Sequence, residues 1–353
     1  MLWDIFCKVI DNHGDIGVCW RLSAELAARG ERVRLWVDDA AALAWMAPQG
    51  HVGVAIVPWT DPAPALEPGD VVMEAFGCDP PTSFVAALAA KTRRVGQQPP
   101  WFNLEYLSAE PYVERSHGLP SPVLNGPGAG LTKRFIYPGF SQGTGGLLRE
   151  SELDARQAVF DRDRWLAQQG IDAQGARLVS LFCYEPPALA ALLAQLAQSA
   201  SPTLLLVTAG RAQAAVTKAL RALPPPGQLR LHQLPLLSQQ DFDHLLWSCD
   251  LNFVRGEDSL VRALWAGRPF VWQLYPQQDG AHGPKLEAFL DWLEAPPELR
   301  SFHRVWNGLL TASLPALDVA DWAAPIAGAR RRALALPELA ATLQRCAGRP
   351  GTI

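Results

Sequence analysis

LNFVRGEDSLVRALWAGRPFVW, residues 251–272, reads as strand, polar turn, helix and strand in immediate succession. Leu251–Val254 is an apolar strand. Arg255, Gly256, Glu257, Asp258 and Ser259 form the turn. A helix begins at about Ser259 and covers Leu260–Ala266, and Pro269–Leu274 is the next strand. This β-α-β unit belongs to a parallel sheet. The junction is also suited to an anion, because the exposed N–H groups and the dipole of a helix N-terminus favour phosphate. Arg255 adds a planar, permanently charged fork that matches phosphate oxygens. Glu257 would repel a phosphate, and is better placed to accept hydrogen bonds from sugar hydroxyls or to meet a cationic substrate. On spacing alone the alternative is an ordinary helix cap by Asp258 or Ser259.

Outward from this stretch the same alternation continues. Strands are expected over Leu178–Tyr184, Thr203–Thr208, Gln228–Gln233 and Asp250–Val254, with helices over Ala188–Ala200, Arg211–Leu223 and Gln239–Cys249 between them. Strict alternation predicts a doubly wound sheet. The first half opens the same way: strand Leu2–Ile10, turn Asp11–Gly17, a helix to Arg29 ended by Gly30, and strand Arg32–Val37. Further strands are expected at Val52–Trp59, Asp70–Phe76 and Arg134–Phe140, a helix at Pro81–Lys91, and a candidate strand at Arg93–Gln97. Pro99–Glu110 has no clean period and reads as a functional loop. Leu153–Gln169 reads as one charged helix, with the domain change at about 165–176. The tail from Lys285 to Cys346 is helical. The expected division is 1–165, 176–325 and C-terminal helices 326–353. Two Rossmann-like sheets imply a cleft onto which both post-strand turns open.

A chain of 353 residues is long enough for two cores. Its net charge of −4 argues against a general nucleic-acid or membrane-surface binder. The six cysteines form no CxxC pair and read as buried hydrophobes in a reduced compartment. No apolar run approaches the ~18 residues of a membrane span. The first apolar run contains Asp4 and Lys8 and reads as a strand rather than a leader. A cytoplasmic location is expected.

Asp11-x-x-Gly14-Asp15-x-Gly17 places two carboxylates on a glycine-bearing turn. One could act as general base while the other orients an acceptor; the plain alternative is an Asx-turn and a helix cap. The dinucleotide fingerprint GxGxxG is absent. Phe182 and Tyr184 share one face of a strand end and could flank a base or sugar, or be core and rim. Phe242, with Leu245, Leu246 and Cys249, has core spacing. Asp241-Phe242-Asp243 resembles a metal-binding Asp-x-Asp, but it falls in a helix's first turn, where acids are favoured anyway. No metal is expected, since the seven histidines lack ligand spacing.

Several blocks, DNHGDIGVCWRLSAEL, NLEYLSAE, PGFSQGTGGLLRE, LSQQDFDHLLW and NFVRGEDSLVRALWAGRPFVWQLYPQQDGAH, occur in an order that closely resembles the EarP family, bacterial protein-arginine rhamnosyltransferases acting on elongation factor P. The resemblance implies a GT-B fold, with an acceptor-binding first domain and a nucleotide-sugar-binding second one. It implies dTDP-β-L-rhamnose as donor, an arginine of elongation factor P as acceptor, inversion at the anomeric carbon, and no metal or other cofactor. It places Asp15 on the general base, Asp11 on a supporting carboxylate and Glu257 on a third critical acid. Arg255, Asp258, Ser259, Tyr184, Phe182, Gln239 and Phe242 fall on donor-contacting positions. The turn residues Asn12, His13, Gly14, Gly17 and Gly256 complete the expected donor set; at His13 the family more often carries Phe. Two other readings stay open: a GT-B transferase using a different nucleotide sugar, and a non-catalytic binder of elongation factor P.

Overall fold

The computed structural model describes residues 1–10, 13–60, 62–221, 227–276 and 280–348. The chain divides into two compact units, 1–153 with 336–353, and 154–335. The first is built on a seven-stranded sheet of β1 (Leu2–Cys7), β2 (Arg32–Val37), β3 (Val54–Pro58), β4 (Val71–Ala75), β5 (Trp101–Leu104), β6 (Pro120–Pro122) and β7 (Thr132–Ile136), in the order β3-β2-β1-β4-β5-β7-β6. Its pairings are parallel except that of the edge strand β6 with β7. The second unit carries β8 (Arg177–Leu181), β9 (Thr203–Val207), β10 (Leu229–Gln233), β11 (Leu251–Arg255) and β12 (Phe270–Gln273), all parallel, in the order β10-β9-β8-β11-β12. Both orders reverse direction once, between β1 and β4 and between β8 and β11. At such a switch point the connections leave to opposite sides and open a crevice at the strands' carboxyl ends.

Burial on both faces explains why these strands are almost continuously apolar. In β1, Trp3, Ile5 and Cys7 face the helix Gly14–Ala28 together with Leu35 and Met73, whereas Phe6 joins Trp36, Val72, Phe84 and Leu88 on the other face. Side chains alternate with the strand period of two. Asp4 is the polar exception in β1 and is fully buried. Its carboxylate accepts from Arg34 Nε and Nη2 at 2.6 and 2.7 Å, from Trp36 Nε1 at 2.7 Å and from the Gly69 N–H at 2.7 Å. A buried charge is tolerated when paired and hydrogen-bonded in this way. All six cysteines are free and buried. Among the described residues, no helix is long and apolar enough to cross a membrane.

The unit boundary falls earlier than the expected 165–176. The predicted helix Leu153–Gln169 is two short helices, Leu153–Ala158 and Arg162–Gln168, the second capped by Asp161. Trp165 and Leu166 pack with Leu178, Leu204 and Leu245, and Arg162 Nε donates to the Ser248 carbonyl at 2.7 Å, which commits this segment to the second unit. The tail is helical as expected, but it is shared. Val319–Leu334 packs against the helices Gly256–Ala266 and His282–Leu293 of the second unit, while Leu339–Gly348 returns to the first and inserts Leu339, Leu343 and Cys346 into the core on β1. The return is fastened at Gly146 (φ +75°), where a Cβ would stand 1.9 Å from the Pro337 carbonyl oxygen. The candidate strand Arg93–Gln97 is instead the end of the helix Thr82–Val95, closed by left-handed Gly96, and β5 lies a few residues later. Basic Arg93 and Arg94 complement the carbonyl end of that helix.

His303, on the helix Pro297–Trp306, is completely buried against β12. Its Nε2 accepts the Trp272 N–H at 3.1 Å and its Nδ1 lies 3.0 Å from the Leu299 carbonyl, an arrangement that needs a neutral ring protonated on Nδ1. Burial pushes its pKa down to about 4. An unfolded histidine near ~6.5 binds a proton that the folded one refuses. Stability should therefore be full above pH ~6.5 and fall by ~3 kcal/mol as the pH drops through that window toward about 4. Urea unfolding of the second unit across this range should show that loss. His303→Leu should remove most of the pH slope and leave the share of His244, whose pKa burial also lowers, and equal acid slopes in both proteins would contradict it.

Candidate functional site

In the second unit the switch point lies between β8 and β11, and the residues that follow each strand meet there. Arg255 ends β11 in extended conformation (φ −135°, ψ 151°), and the helix Gly256–Ala266 starts at once. Gly256 has φ +69°, a left-handed conformation that other residues adopt at a cost. Ser259 folds its hydroxyl back onto the strand end: it accepts the Arg255 N–H at 3.0 Å and donates to the Arg255 carbonyl. Trp272 Nε1 donates to the Gly256 carbonyl at 2.8 Å. The turn is thus held from both sides, and Ser259, almost wholly buried, serves Arg255 rather than protruding.

The Arg255 guanidinium is wedged between aromatic rings. Its Cζ lies 4.3 Å from the Phe182 ring centroid and 4.5 Å from that of Tyr184, and Nη1 donates to the Cys183 carbonyl at 2.8 Å. Stacking of this kind suits guanidinium better than ammonium. Burial lowers the Arg255 pKa and raises that of the Tyr184 hydroxyl; arginine remains charged regardless. Gln273 anchors the Tyr184 backbone by accepting its N–H at 2.8 Å. Phe242, on the helix Gln239–Ser248, meets Phe182 edge-on at 5.3 Å while its other side rests on the core. Gln239 opens that helix, which Ser238 caps. Glu257 and Asp258 stand half-buried in the first turn after Arg255, and Glu257 forms an ion pair with Lys285. Phe182, Tyr184, Phe242, Arg255, Gly256 and Ser259 are therefore brought together as one wall.

In the first unit Asp15 occupies the first turn of the helix Gly14–Ala28. His13 precedes that helix, its carbonyl accepts the Gly17 N–H at 3.1 Å, and its ring meets Trp45 edge-on at 5.8 Å. Asp11 and Asn12 lie outside the described residues. Tyr106 donates its hydroxyl to Asp15 Oδ2 at 3.4 Å and stacks on Phe76 at 4.7 Å between centroids. Phe76 follows β4 with φ +57°, an uncommon conformation for an aromatic residue and one that gathers at functional sites. Asp15 thus sits beside the β1/β4 switch point, with Tyr106 and Phe76 as neighbours that spacing did not reveal. Trp101–Glu110, expected as a loop, begins with β5 and delivers Tyr106 to this position.

The Asp241 and Asp243 pair is occupied structurally. Asp241 accepts from the Ser238 hydroxyl at 2.7 Å and from Trp165 Nε1 at 3.0 Å, while buried Asp243 pairs with Arg262 at 2.8 Å and Arg156 at 3.1 Å. Among the described residues, no group of three or more His, Cys, Asp or Glu is placed to hold a metal ion. Residues that spacing did not reveal beside this wall are Lys285, paired with Glu257, Arg211, whose Cζ is 5.7 Å from the Tyr184 ring centroid, and Tyr275, edge-on to Tyr184 at 5.3 Å. No motif marks them, since each comes from a separate element.

Two Rossmann-like units with their polar turns at the switch points define a GT-B fold. The solved glycotransferase of kitacinnamycin shares it, at 15% identity and a TM-score of 0.52 over 98% of each chain. Closer likenesses narrow the class to one family. The family model for the Elongation-Factor P (EF-P) rhamnosyltransferase EarP matches residues 3–347. The protein-arginine rhamnosyltransferase of Pseudomonas putida is 46% identical over 333 residues, 86% of each chain. A solved protein of EarP-mediated arginine glycosylation of translation elongation factor EF-P aligns at 32% identity over 99% of each chain, with a TM-score of 0.68. The chain belongs to the EarP family and is a glycosyltransferase.

The two turns differ in what their glycines are for. At Gly256 an added Cβ meets only Tyr184 Oη, at 3.6 Å, so the cost of Gly256→Ala is the left-handed backbone, ~1–2 kcal/mol. At Gly14 nothing lies within 4 Å and no positive φ is required, so Gly14→Ala should change stability by less than ~0.5 kcal/mol. Denaturant unfolding of both variants checks this; equal losses would contradict it.

Proposed function

We propose that this protein transfers L-rhamnose from dTDP-β-L-rhamnose to an arginine side chain of elongation factor P in the cytoplasm, with inversion at the anomeric carbon and without a metal ion. The observation that carries this reading is the match to one family from residue 3 to residue 347. The geometry of the two turns fits it.

Arg255 and the N–H groups that open the helix Gly256–Ala266 would hold the diphosphate and stabilise the charge that grows on it as the glycosidic bond breaks. A stacked, backbone-anchored guanidinium needs little reorganisation to do so. Phe182 and Phe242 offer apolar faces to the thymine or deoxyribose, next to Tyr184 and Gln239. Glu257 and Asp258 would accept hydrogen bonds from the sugar hydroxyls.

The acceptor is the harder partner. A guanidinium has a pKa above ~12 and no lone pair with which to attack. Asp15, with Asp11, would grip it through charge-assisted hydrogen bonds, polarise it and take a proton as the C–N bond forms. Tyr106, donating to Asp15 Oδ2, helps fix the direction of that carboxylate. His13, Gly14 and Gly17 would shape the backbone around it.

The two turns should separate in their kinetics. Asp15→Asn is expected to lower turnover by ~100-fold or more while leaving calorimetric affinity for the donor within about twofold. Arg255→Ala is expected to weaken donor binding by ~10-fold or more, because a charge-assisted contact is lost. Wild-type turnover in Asp15→Asn, or unchanged affinity in Arg255→Ala, would contradict the roles given to these residues.

A further inference from the structure

Glu257 poses a problem that its own turn does not solve. It stands in the first turn of the helix Gly256–Ala266, two residues after Arg255, where it would repel a diphosphate. Glu257 and Asp258 follow Arg255 in the chain, and the charge of Glu185 also acts on its guanidinium. The structure supplies compensating charge from other elements. Arg211 reaches the Tyr184 ring, and Lys285, on the helix His282–Leu293, directs Nζ to Glu257 Oε1. The side chains of the Lys285–Glu257 pair are only 20% and 21% exposed, so water and salt screen it less than a surface bridge.

Glu257 and Lys285 also share the neighbourhood of the aromatic wall. Burial raises the Tyr184 hydroxyl pKa, and Glu257 adds to that rise against the pull of Arg255 and Arg211. The same Tyr184 ring stacks on the Arg255 guanidinium. These groups therefore act on one another electrostatically.

We propose that Lys285 is a positioning residue of the donor site: it neutralises Glu257 and orients its carboxylate toward a sugar hydroxyl, so that the Arg255 turn can accept a diphosphate. This rests on the nucleotide-sugar reading of that turn. Lys285 acts through Glu257, and its worth should vanish when Glu257 carries no charge. A lysine that braced the helix through contacts other than Glu257 would cost the same in either background.

The test is a double-mutant cycle on the full chain, with dTDP as the titrant in calorimetry. Lys285→Met should weaken dTDP binding ~10-fold in the wild-type background and less than about twofold in the Glu257→Gln background. Lys285→Arg, which keeps the charge, should restore most of the affinity. No weakening by Lys285→Met, or the same fold-loss in both backgrounds, overturns the inference. Arg255→Ala separates the two levels. If it weakens dTDP binding while the Lys285 cycle shows no coupling, this inference alone fails. If wild type binds no dTDP, or Arg255→Ala binds it unchanged, the reading of the turn fails and this inference falls with it. Should Lys285→Met not fold, the comparison of Lys285→Arg and Lys285→Gln in both backgrounds gives the same decision.

Discussion

The contact on which the second unit's site depends is the Arg255 guanidinium held between the Phe182 and Tyr184 rings. Each part of its surroundings exists to keep that cation in place. The Cys183 carbonyl accepts one N–H, Ser259 ties the strand end to the helix that follows, and Gly256 takes the left-handed turn that lets the helix start without a spacer. A partly buried cation in this position is a standing cost, because burial disfavours charge. The rings and the carbonyl offset part of it, and a diphosphate would offset more. Such an arrangement stores affinity for an anion in advance of its arrival.

Each sheet delivers its chemistry to the place where its strand order reverses. In the second unit β8 leads to Phe182 and Tyr184 while β11 supplies Arg255; in the first, β1 leads to Asp15 and β4 to Phe76. The apolar strands fix these positions because a slip of one residue would turn Ile5 and Met73 out of one core and Phe6 out of the other. Rigid scaffold and polar turn are thus two aspects of one pattern, an apolar run that stops at a charged turn.

That pattern is what made the fold legible. Alternating runs such as Leu251–Val254 and Leu260–Ala266 announce strand and helix by period and length, and both parallel sheets follow from them. Boundaries were less legible. Asp161 interrupts a helix-like pattern with a cap, and the ownership of Trp165 and of Leu339–Gly348 depends on packing partners far along the chain. The site was half legible. Arg255, Gly256 and Glu257 stand together in sequence, and Phe182 and Tyr184 stand two residues apart just after β8. Phe242 has core spacing, and its contact with Phe182 appears only once the chain is folded. Tyr106, Phe76, Lys285 and Arg211 reach the two turns from separate elements, which no local period can encode. The substrates are legible only through family membership, since no residue type specifies rhamnose or arginine.

The most direct measurement is the intact mass of the host's elongation factor P after incubation with this protein and dTDP-L-rhamnose. A gain of one deoxyhexose is expected, located on an arginine by fragmentation and absent when the donor is omitted. An unchanged mass with dTDP-L-rhamnose, or a gain on a residue other than arginine, would contradict it.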